Sequence, residues 1–273
     1  MFIPSYTAAL ASAAVLAAAW PAPRAYAAAA CEVRSGPATA ALVELYTSEG
    51  CSSCPPADQQ LRALRSQLPA SAVAVPVGLH VTYWDGLGWR DPYAQSAFDA
   101  RQRALLGQHR LRVAYTPQFF VNGDELRDWR SQLTAAIRRI NASPAAASIV
   151  LRTAPITNAG GDLRLDVQAR LADPRAAGDL YVAITESGLS SQVQRGENGG
   201  VTLHHDATAR FWLGPFTLKQ GQIELHRNVS PPPHWRREGL QALAFVQDGD
   251  AHVLQAVNTA ACATPIVRAG RPQ

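Results

Sequence analysis

Two hydrophobic patterns divide the chain near residue 143. Before that point, residues 41–46 and 73–81 are near-continuous apolar runs, while the segments at about 55–68 and 125–141 carry apolar residues at helical spacing. Continuous apolar runs are typical of buried strands, and a period near 3.6 residues indicates a helix that packs by one face. This half is therefore predicted to be an α/β unit, with a further helix at about 92–106.

The second half follows a period of two. Leu163, Leu165 and Val167 alternate with Arg164 and Asp166, as in a strand with one buried face. Seven strand-like segments recur with turns between them: residues 147–154, 163–171, 180–187, 211–218, 223–229, 240–247 and 252–259. Because no clear helical pattern separates them, residues 144–273 are predicted to form an all-β, sandwich-like domain.

The N-terminus resembles a targeting segment. Residues 8–20 are apolar and rich in alanine, and Ala25-Tyr26-Ala27 has the small-x-small form of a cleavage site. Residues 1–30 are therefore predicted to be a secretory signal peptide, with a membrane-anchored N-terminus as the alternative. The apolar run is too short for a stable membrane span. We expect a secreted or periplasmic protein that folds in an oxidising compartment.

The positive charge does not indicate a nucleic-acid partner. The net charge is +4, Lys219 is the only lysine, and the arginines are scattered along the chain. Nucleic-acid binding depends on basic residues that cluster on one surface. We therefore expect no nucleic-acid partner.

The central pair of the four cysteines carries the candidate chemistry. Cys51 and Cys54 form a C-x-x-C motif between a predicted strand and a predicted helix. The N–H groups and dipole at a helix N-terminus favour a thiolate, which is the nucleophile in thiol–disulfide exchange. Cys51 is thus the candidate nucleophile, and Cys54, expected one turn into the helix, is the candidate resolving thiol. This order of elements predicts a thioredoxin-like domain over residues 31–143.

Other interpretations of the cysteines stay open. The C-x-x-C motif is also compatible with a permanent disulfide or with half of a zinc site, although no second C-x-x-C is present. Cys31 and Cys262 lie near the ends of the predicted mature chain, and chain termini are often close in space. A Cys31–Cys262 disulfide is expected. The alternatives are a lipidated Cys31, or two free thiols.

Several motifs together resemble one family. They are Val43–Asp58, His80–Trp89, Arg101–Arg103, Tyr115–Gly123, and Gly196–Gly200 with His205. They are similar to the signature of the DUF1223 family of secreted thioredoxin-like proteins, over nearly the whole predicted mature chain. The resemblance implies a bacterial origin and a thioredoxin-like first domain, and it implies no particular substrate.

The wider thioredoxin superfamily suggests roles for three more residues. Pro117 matches the cis-proline that packs against the redox pair, and Thr116 before it offers its backbone to an extended substrate chain. Glu44 lies near the position of the buried acid that assists proton transfer from the resolving thiol. Separately, Trp84 is either the floor of a substrate groove or a residue that packs a long loop.

Two polar groups have structural and functional interpretations. His80 ends a predicted strand near the dithiol and is either a satisfied core or surface histidine, or a ligand or base. If it converges with Cys51 and Cys54, the three side chains resemble a copper site. A second polar cluster on a predicted loop is either a turn network or a metal site: Glu197, Asn198, His204, His205 and Asp206.

The sequence therefore predicts an α/β thioredoxin-like domain followed by an all-β sandwich-like domain. The leading function is a thiol–disulfide oxidoreductase that needs no cofactor and acts on protein or small-molecule thiols and disulfides. The alternatives are a non-enzymatic copper-binding or protein-binding module that uses the same cysteines, and an adaptor with an inert disulfide.

Overall fold

The computed structural model describes residues 30–155 and 161–262, so the predicted signal peptide lies outside the described residues. The strands are β1 (Cys31–Arg34), β2 (Ala41–Thr47), β3 (Ala74–His80), β4 (Gln118–Val121), β5 (Asp124–Glu125), β6 (Ala147–Pro155), β7 (Leu163–Leu171), β8 (Asp179–Glu186), β9 (Leu189–Gln192), β10 (Thr202–His205), β11 (Thr208–Thr217), β12 (Gln222–Val229), β13 (Leu240–Gln247) and β14 (Val253–Asn258). The α-helices are α1 (Pro55–Gln67), α2 (Ser96–Gln108) and α3 (Trp129–Asn141).

One mixed sheet contains strands from both halves of the chain. Its eight strands have the order β14-β13-β8-β11-β3-β2-β4-β5. The halves meet where β11 pairs in parallel with β3, at Thr208 and Gly78. The expected α/β thioredoxin-like domain followed by an all-β sandwich-like domain is therefore wrong. Among the described residues β structure predominates, with 41% in strands and 21% in helices.

The error has a physical cause. Hydrophobic periodicity identifies strands and their buried faces, but it does not determine which strand edges pair. Four strands of the second half, β8, β11, β13 and β14, extend the sheet of the first half instead of forming a separate sandwich. The boundary between residues 31–143 and 144–273 falls between α3 and β6. Independent folding of these two segments stays a prediction.

A second sheet covers part of the first. Its order is β1-β6-β7-β12. Its inner face includes Leu151 and Val167, which belong to one buried cluster with Val182 of β8 and Ala244 of β13. This packing buries the β8–β13 part of the large sheet.

Strand β2 separates two other clusters. Val43 and Leu45 pack with residues of α1 and α3. Leu42 and Tyr46 belong to a different cluster that includes residues of α2. Because successive side chains on a strand point to opposite faces, Glu44 lies on the α2 face and not on the α1 face.

Pro76 lies within β3 and has no backbone N–H to donate to a neighbouring strand. The Gly78 N–H donates to the Ala207 carbonyl at 2.9 Å, so the nitrogen of Pro76, two residues earlier, faces the same side. The pairing with β11 is confined to Thr208 and Gly78. β3 is therefore locally an edge strand at Pro76, as proline requires.

All four cysteines form disulfides. Cys31 of β1 is bonded to Cys262 at the end of a 3₁₀ turn, with 5.9 Å between the Cα atoms and a sequence separation of 231 positions. A native disulfide of this kind typically contributes about 2–5 kcal/mol to the stability of a small secreted domain. The two bonds are compatible with an oxidising environment. Within residues 30–155 and 161–262, no helix is both long and apolar enough to cross a membrane.

Candidate active site around Cys51 and Cys54

The C-x-x-C motif lies in the loop between β2 and α1. Cys51 and Cys54 are disulfide-bonded with a Cα–Cα distance of 5.4 Å. Both cysteines are fully buried, whereas Ser52 and Ser53 between them are exposed. The disulfide thus lies just beneath an exposed two-residue turn.

Helix α1 begins immediately after the motif. Cys54 is its N-cap, so the expectation that Cys54 lies one turn into the helix is wrong. The reason is the proline pair at the first two helical positions, where a missing N–H costs no helical hydrogen bond. The helix N-terminus carries a partial positive charge, which favours a thiolate at a reduced cysteine beside it.

A loop from the second half holds the C-x-x-C loop. This clamp loop, residues 193–201, connects β9 and β10. The side-chain amide of Asn198 donates to the carbonyls of Glu49 at 2.8 Å and Cys51 at 3.0 Å. One carboxylate oxygen of Glu197 accepts from the Ser52 N–H at 2.9 Å and from its hydroxyl at 2.7 Å. The two cysteines are therefore bordered by side chains that lie about 145 residues later in sequence.

Glu49, two residues before Cys51, is a fully buried carboxylate. One of its oxygens accepts hydrogen bonds from the Trp89 indole at 2.8 Å and the Ser191 hydroxyl at 3.1 Å. The other lies 3.0 Å from Nε2 of His205. Such a set of partners offsets the cost of removing a carboxylate from water.

A second acid–histidine pair lies beside the first. Nδ1 of His80 is 2.7 Å from an Asp91 oxygen that also accepts the Glu49 N–H at 2.8 Å. The rings of His80 and His205 lie 4.9 Å apart, edge to face. Burial lowers the pKa of His80, but the nearby carboxylates of Asp91, Asp58 and Glu49, with Asp91 the strongest, together outweigh it and raise that pKa above its ordinary value. Two buried acid–histidine pairs thus adjoin the C-x-x-C loop.

Asp58 of α1 faces the same histidines across a small cavity. The cavity is lined by Asp58, Leu61, Gly78, His80, His205, Asp206 and Thr208. Burial raises the pKa of Asp58, and the nearby histidines oppose this effect only in part. Among the described residues, Nδ1 of His205 and the Thr208 hydroxyl are buried without a hydrogen-bond partner.

The His80–Asp91 pair predicts a pH dependence of stability. Because the folded-state pKa of His80 is raised, its contribution is fully present below about pH 6.5 and is lost as the pH rises through the folded-state value. His80→Gln should therefore have a lower free energy of unfolding than the wild type in mild acid, and the difference should shrink in alkali. Urea unfolding from about pH 5 to about pH 9 measures this. The exposed His234, changed to Gln, is the control, and a constant His80→Gln difference would contradict the prediction.

The structure does not bring Glu44 to the cysteines. Its carboxylate is paired with Arg101 of α2 at 3.0 Å and 3.2 Å and accepts the Tyr46 hydroxyl at 3.3 Å. It lies on the face of β2 opposite α1. Proton transfer through Glu44 has no geometric support, and Asp58 is the carboxyl on the helix that follows the cysteines.

The other predicted residues lie nearer the site. The Thr116–Pro117 peptide bond is cis and precedes β4, which pairs with β2 so that Gln118 is opposite Tyr46. Pro117 therefore lies at the end of β2 that leads into the C-x-x-C loop. Trp84 lies next to Gly50, the residue before Cys51. The space is so close that a Cβ added to Gly50 would lie 3.3 Å from the Cβ of Trp84.

The residues of the copper alternative have other partners. Cys51 and Cys54 form a disulfide with each other, and His80 is hydrogen-bonded to Asp91. Across the described parts of the chain, no group of three or more His, Cys, Asp or Glu side chains has an arrangement that could hold a metal ion.

The sequence did not identify the network around Glu49. The short strands β9 and β10 are rich in serine, threonine and histidine and have no clear apolar alternation. The available signal was the polar cluster within a glycine-rich loop, where Gly196 and Gly200 have positive φ angles of 76° and 88°. Glycine is the residue that adopts such angles without strain, so this composition indicates a tightly shaped loop.

The comparison with protein families decides the assignment. The family described as "Protein of unknown function (DUF1223)" matches residues 42–247. The chain belongs to the DUF1223 family. The match includes Glu49, both cysteines of the C-x-x-C motif, the clamp loop and His205. No curated protein matches the chain.

Two solved structures resemble this DUF1223 protein in fold. An X-ray structure of a protein from Agrobacterium tumefaciens is 20% identical, with a TM-score of 0.58, and the match covers 81% of this chain and 94% of that one. HBP35 of Porphyromonas gingivalis is 15% identical, with a TM-score of 0.63, and the match covers 88% and 81% of the two chains. At these identities the likeness concerns the fold alone.

Proposed function

We propose that this protein is a thiol–disulfide oxidoreductase of an exported, oxidising compartment and that Cys51 and Cys54 are its redox pair. The observation that carries the proposal is the position of this disulfide. It adjoins the N-terminus of α1, and a buried acid–histidine network lies beside it. A disulfide that only stabilises the fold needs neither feature.

The chemistry proceeds in two exchanges. In the reduced protein, the Cys51 thiolate attacks a substrate disulfide, forms a mixed disulfide and expels one substrate thiolate. The Cys54 thiolate then attacks the Cys51 sulfur, re-forms the Cys51–Cys54 bond and expels the second substrate thiolate. Two electrons pass from the protein to the substrate, and the reverse sequence oxidises a substrate dithiol.

Asp58 is the proposed proton acceptor for Cys54. The two residues are four positions apart, so they lie on the same side of the helix start. The raised pKa of Asp58 allows it to take and return a proton at a higher pH than an ordinary carboxyl group.

Access to the sulfur atoms requires movement. Because Cys51 and Cys54 are fully buried, a substrate reaches them only when the exposed turn at Ser52 and Ser53 or a neighbouring loop opens. Extended protein segments and small thiols are both proposed as substrates, and each must meet this requirement.

A redox titration tests the proposal. The folded protein is equilibrated in thiol–disulfide buffers of graded potential, alkylated, and analysed by mass. We expect Cys51–Cys54 to open reversibly between about −270 and −120 mV, the range of known exchange proteins, while Cys31–Cys262 stays closed. The reversible opening should be absent from the Cys51→Ser, Cys54→Ser double variant, which assigns it to this pair. Reduction of Cys51–Cys54 only below about −300 mV, as for structural disulfides, would overturn the proposal.

A further inference from the structure

Glu197 is an exposed acidic neighbour of the C-x-x-C loop that has no cationic partner among the described residues. Glu49 is paired with His205, and Asp91 is paired with His80. Among the described residues, Glu197 forms no salt bridge, and its hydrogen bonds are those to Ser52. Its negative charge is therefore placed beside the residue that follows Cys51 and is not neutralised there.

The Ser52 N–H matters for the state of the Cys51 sulfur. Backbone N–H groups near the start of a helix stabilise an adjacent thiolate by hydrogen bonding and by their dipoles. The Ser52 N–H, the first after Cys51, instead donates to the Glu197 carboxylate at 2.9 Å. Both the engaged donor and the added charge act against a thiolate at Cys51.

We infer that Glu197 is a positioning residue that sets the redox balance of the Cys51–Cys54 pair in favour of the disulfide. The inference rests on the proposed function and assigns its regulation to the clamp loop. Asn198, which holds the carbonyls on both sides of Gly50, fixes the distance at which the Glu197 charge acts. The residue acts through Ser52 and needs no contact with a substrate.

Reduction of the disulfide takes up two electrons and, at neutral pH, leaves a Cys51 thiolate in equilibrium with its thiol and a protonated Cys54. A group that disfavours the thiolate makes this product less stable, while the uncharged disulfide is little affected. Removing the Glu197 charge should therefore lower the pKa of the Cys51 thiol and favour reduction.

Glu197→Gln tests the inference, because glutamine keeps a side-chain oxygen that can accept the Ser52 hydrogen bonds. Removal of one exposed charge beside Ser52 should increase the equilibrium constant for reduction by glutathione about threefold. At 29.6 mV per tenfold change, this raises the reduction potential by about 14 mV. Thiolate absorbance should show a parallel decrease in the pKa of the Cys51 thiol. A role confined to holding the loop would move neither quantity in this direction.

Glu224→Gln is the matched control. Glu224 is an exposed glutamate on β12 whose carboxylate accepts a hydrogen bond from the Gln168 amide and lies 3.4 Å from Nε2 of His226. This variant has the same change in net charge and should leave the equilibrium unchanged. In the wild type, a rise in ionic strength from about 0.01 M to about 1 M should shift the equilibrium toward the dithiol, because salt screens an exposed charge, and Glu197→Gln should lose most of this shift.

Equal equilibrium constants for Glu197→Gln and the wild type would overturn the inference, as would equal shifts in Glu197→Gln and Glu224→Gln. The measurement uses glutathione alone and does not depend on catalysis. A Glu197→Gln shift in a protein that fails the redox-range criterion overturns the proposed function, while the effect of the Glu197 charge on the Cys51–Cys54 equilibrium still stands. If the protein meets the redox-range criterion but Glu197→Gln shows no shift in the equilibrium constant, the inference is overturned and the proposed function stands.

Discussion

Cys54→Ser should accumulate as a stable mixed disulfide when it is incubated with oxidised glutathione, and Cys51→Ser should accumulate none. Without Cys54, no internal thiolate can attack the Cys51 sulfur and release the bound glutathione. Without Cys51, the nucleophile of the first exchange is missing. Intact mass after an acid quench shows the adduct, and turnover with a disulfide substrate should fall to the uncatalysed rate in both variants.

The second disulfide provides the control for this series. Cys31→Ser with Cys262→Ser removes the disulfide between β1 and the 3₁₀ turn at residues 259–262 and should leave exchange at Cys51 intact. Retention of turnover by a Cys51→Ser, Cys54→Ser double variant would contradict the assignment of the redox pair.

Arg101→Ala should destabilise the fold by about 3–5 kcal/mol. The change leaves the fully buried Glu44 carboxylate without its cationic partner. The guanidinium also lies over the rings of Tyr181 and Phe245, at 4.9 Å and 5.3 Å from their centroids, so cation–π contacts are lost as well. Urea unfolding at neutral pH measures the loss.

Two further variants separate the charge from the packing. Glu44→Gln with Arg101→Met removes both charges and keeps most of the volume, so it should recover much of the stability. Arg103→Ala, an exposed arginine of the same helix, should change stability by no more than about 0.5 kcal/mol. A loss below about 1 kcal/mol in Arg101→Ala would contradict the role given to the pair.

Local elements of the fold follow from the sequence with small errors at their ends. The apolar run at 41–46 became β2, and the leucine spacing after Cys54 became α1. Asn122-Gly123 forms the turn between β4 and β5, with positive φ angles of 52° and 96° at the two residues. Each of these features is encoded by neighbouring residues, through periodicity or turn chemistry.

The partners of the candidate site could not be predicted in this way. Glu44 stands within the apolar run of residues 41–46, but no neighbouring residue in the sequence indicates that Arg101 neutralises it. Glu49 raised no expectation, because its donors come from Trp89, Ser191 and His205. Such pairings depend on which strand edges meet, and that choice is made by the whole fold.

The distance in sequence between Glu49 and His205, 156 residues, has a consequence for the order of events during biosynthesis. A chain that emerges from its N-terminus exposes Cys51 and Cys54 together, and these two can form a disulfide at once. The side chains that surround them arrive only when β9, the clamp loop and β10 have emerged. The two thiols are therefore accessible to oxidants before the rest of the site has formed. They become buried at a late stage of folding, when the clamp loop packs against them.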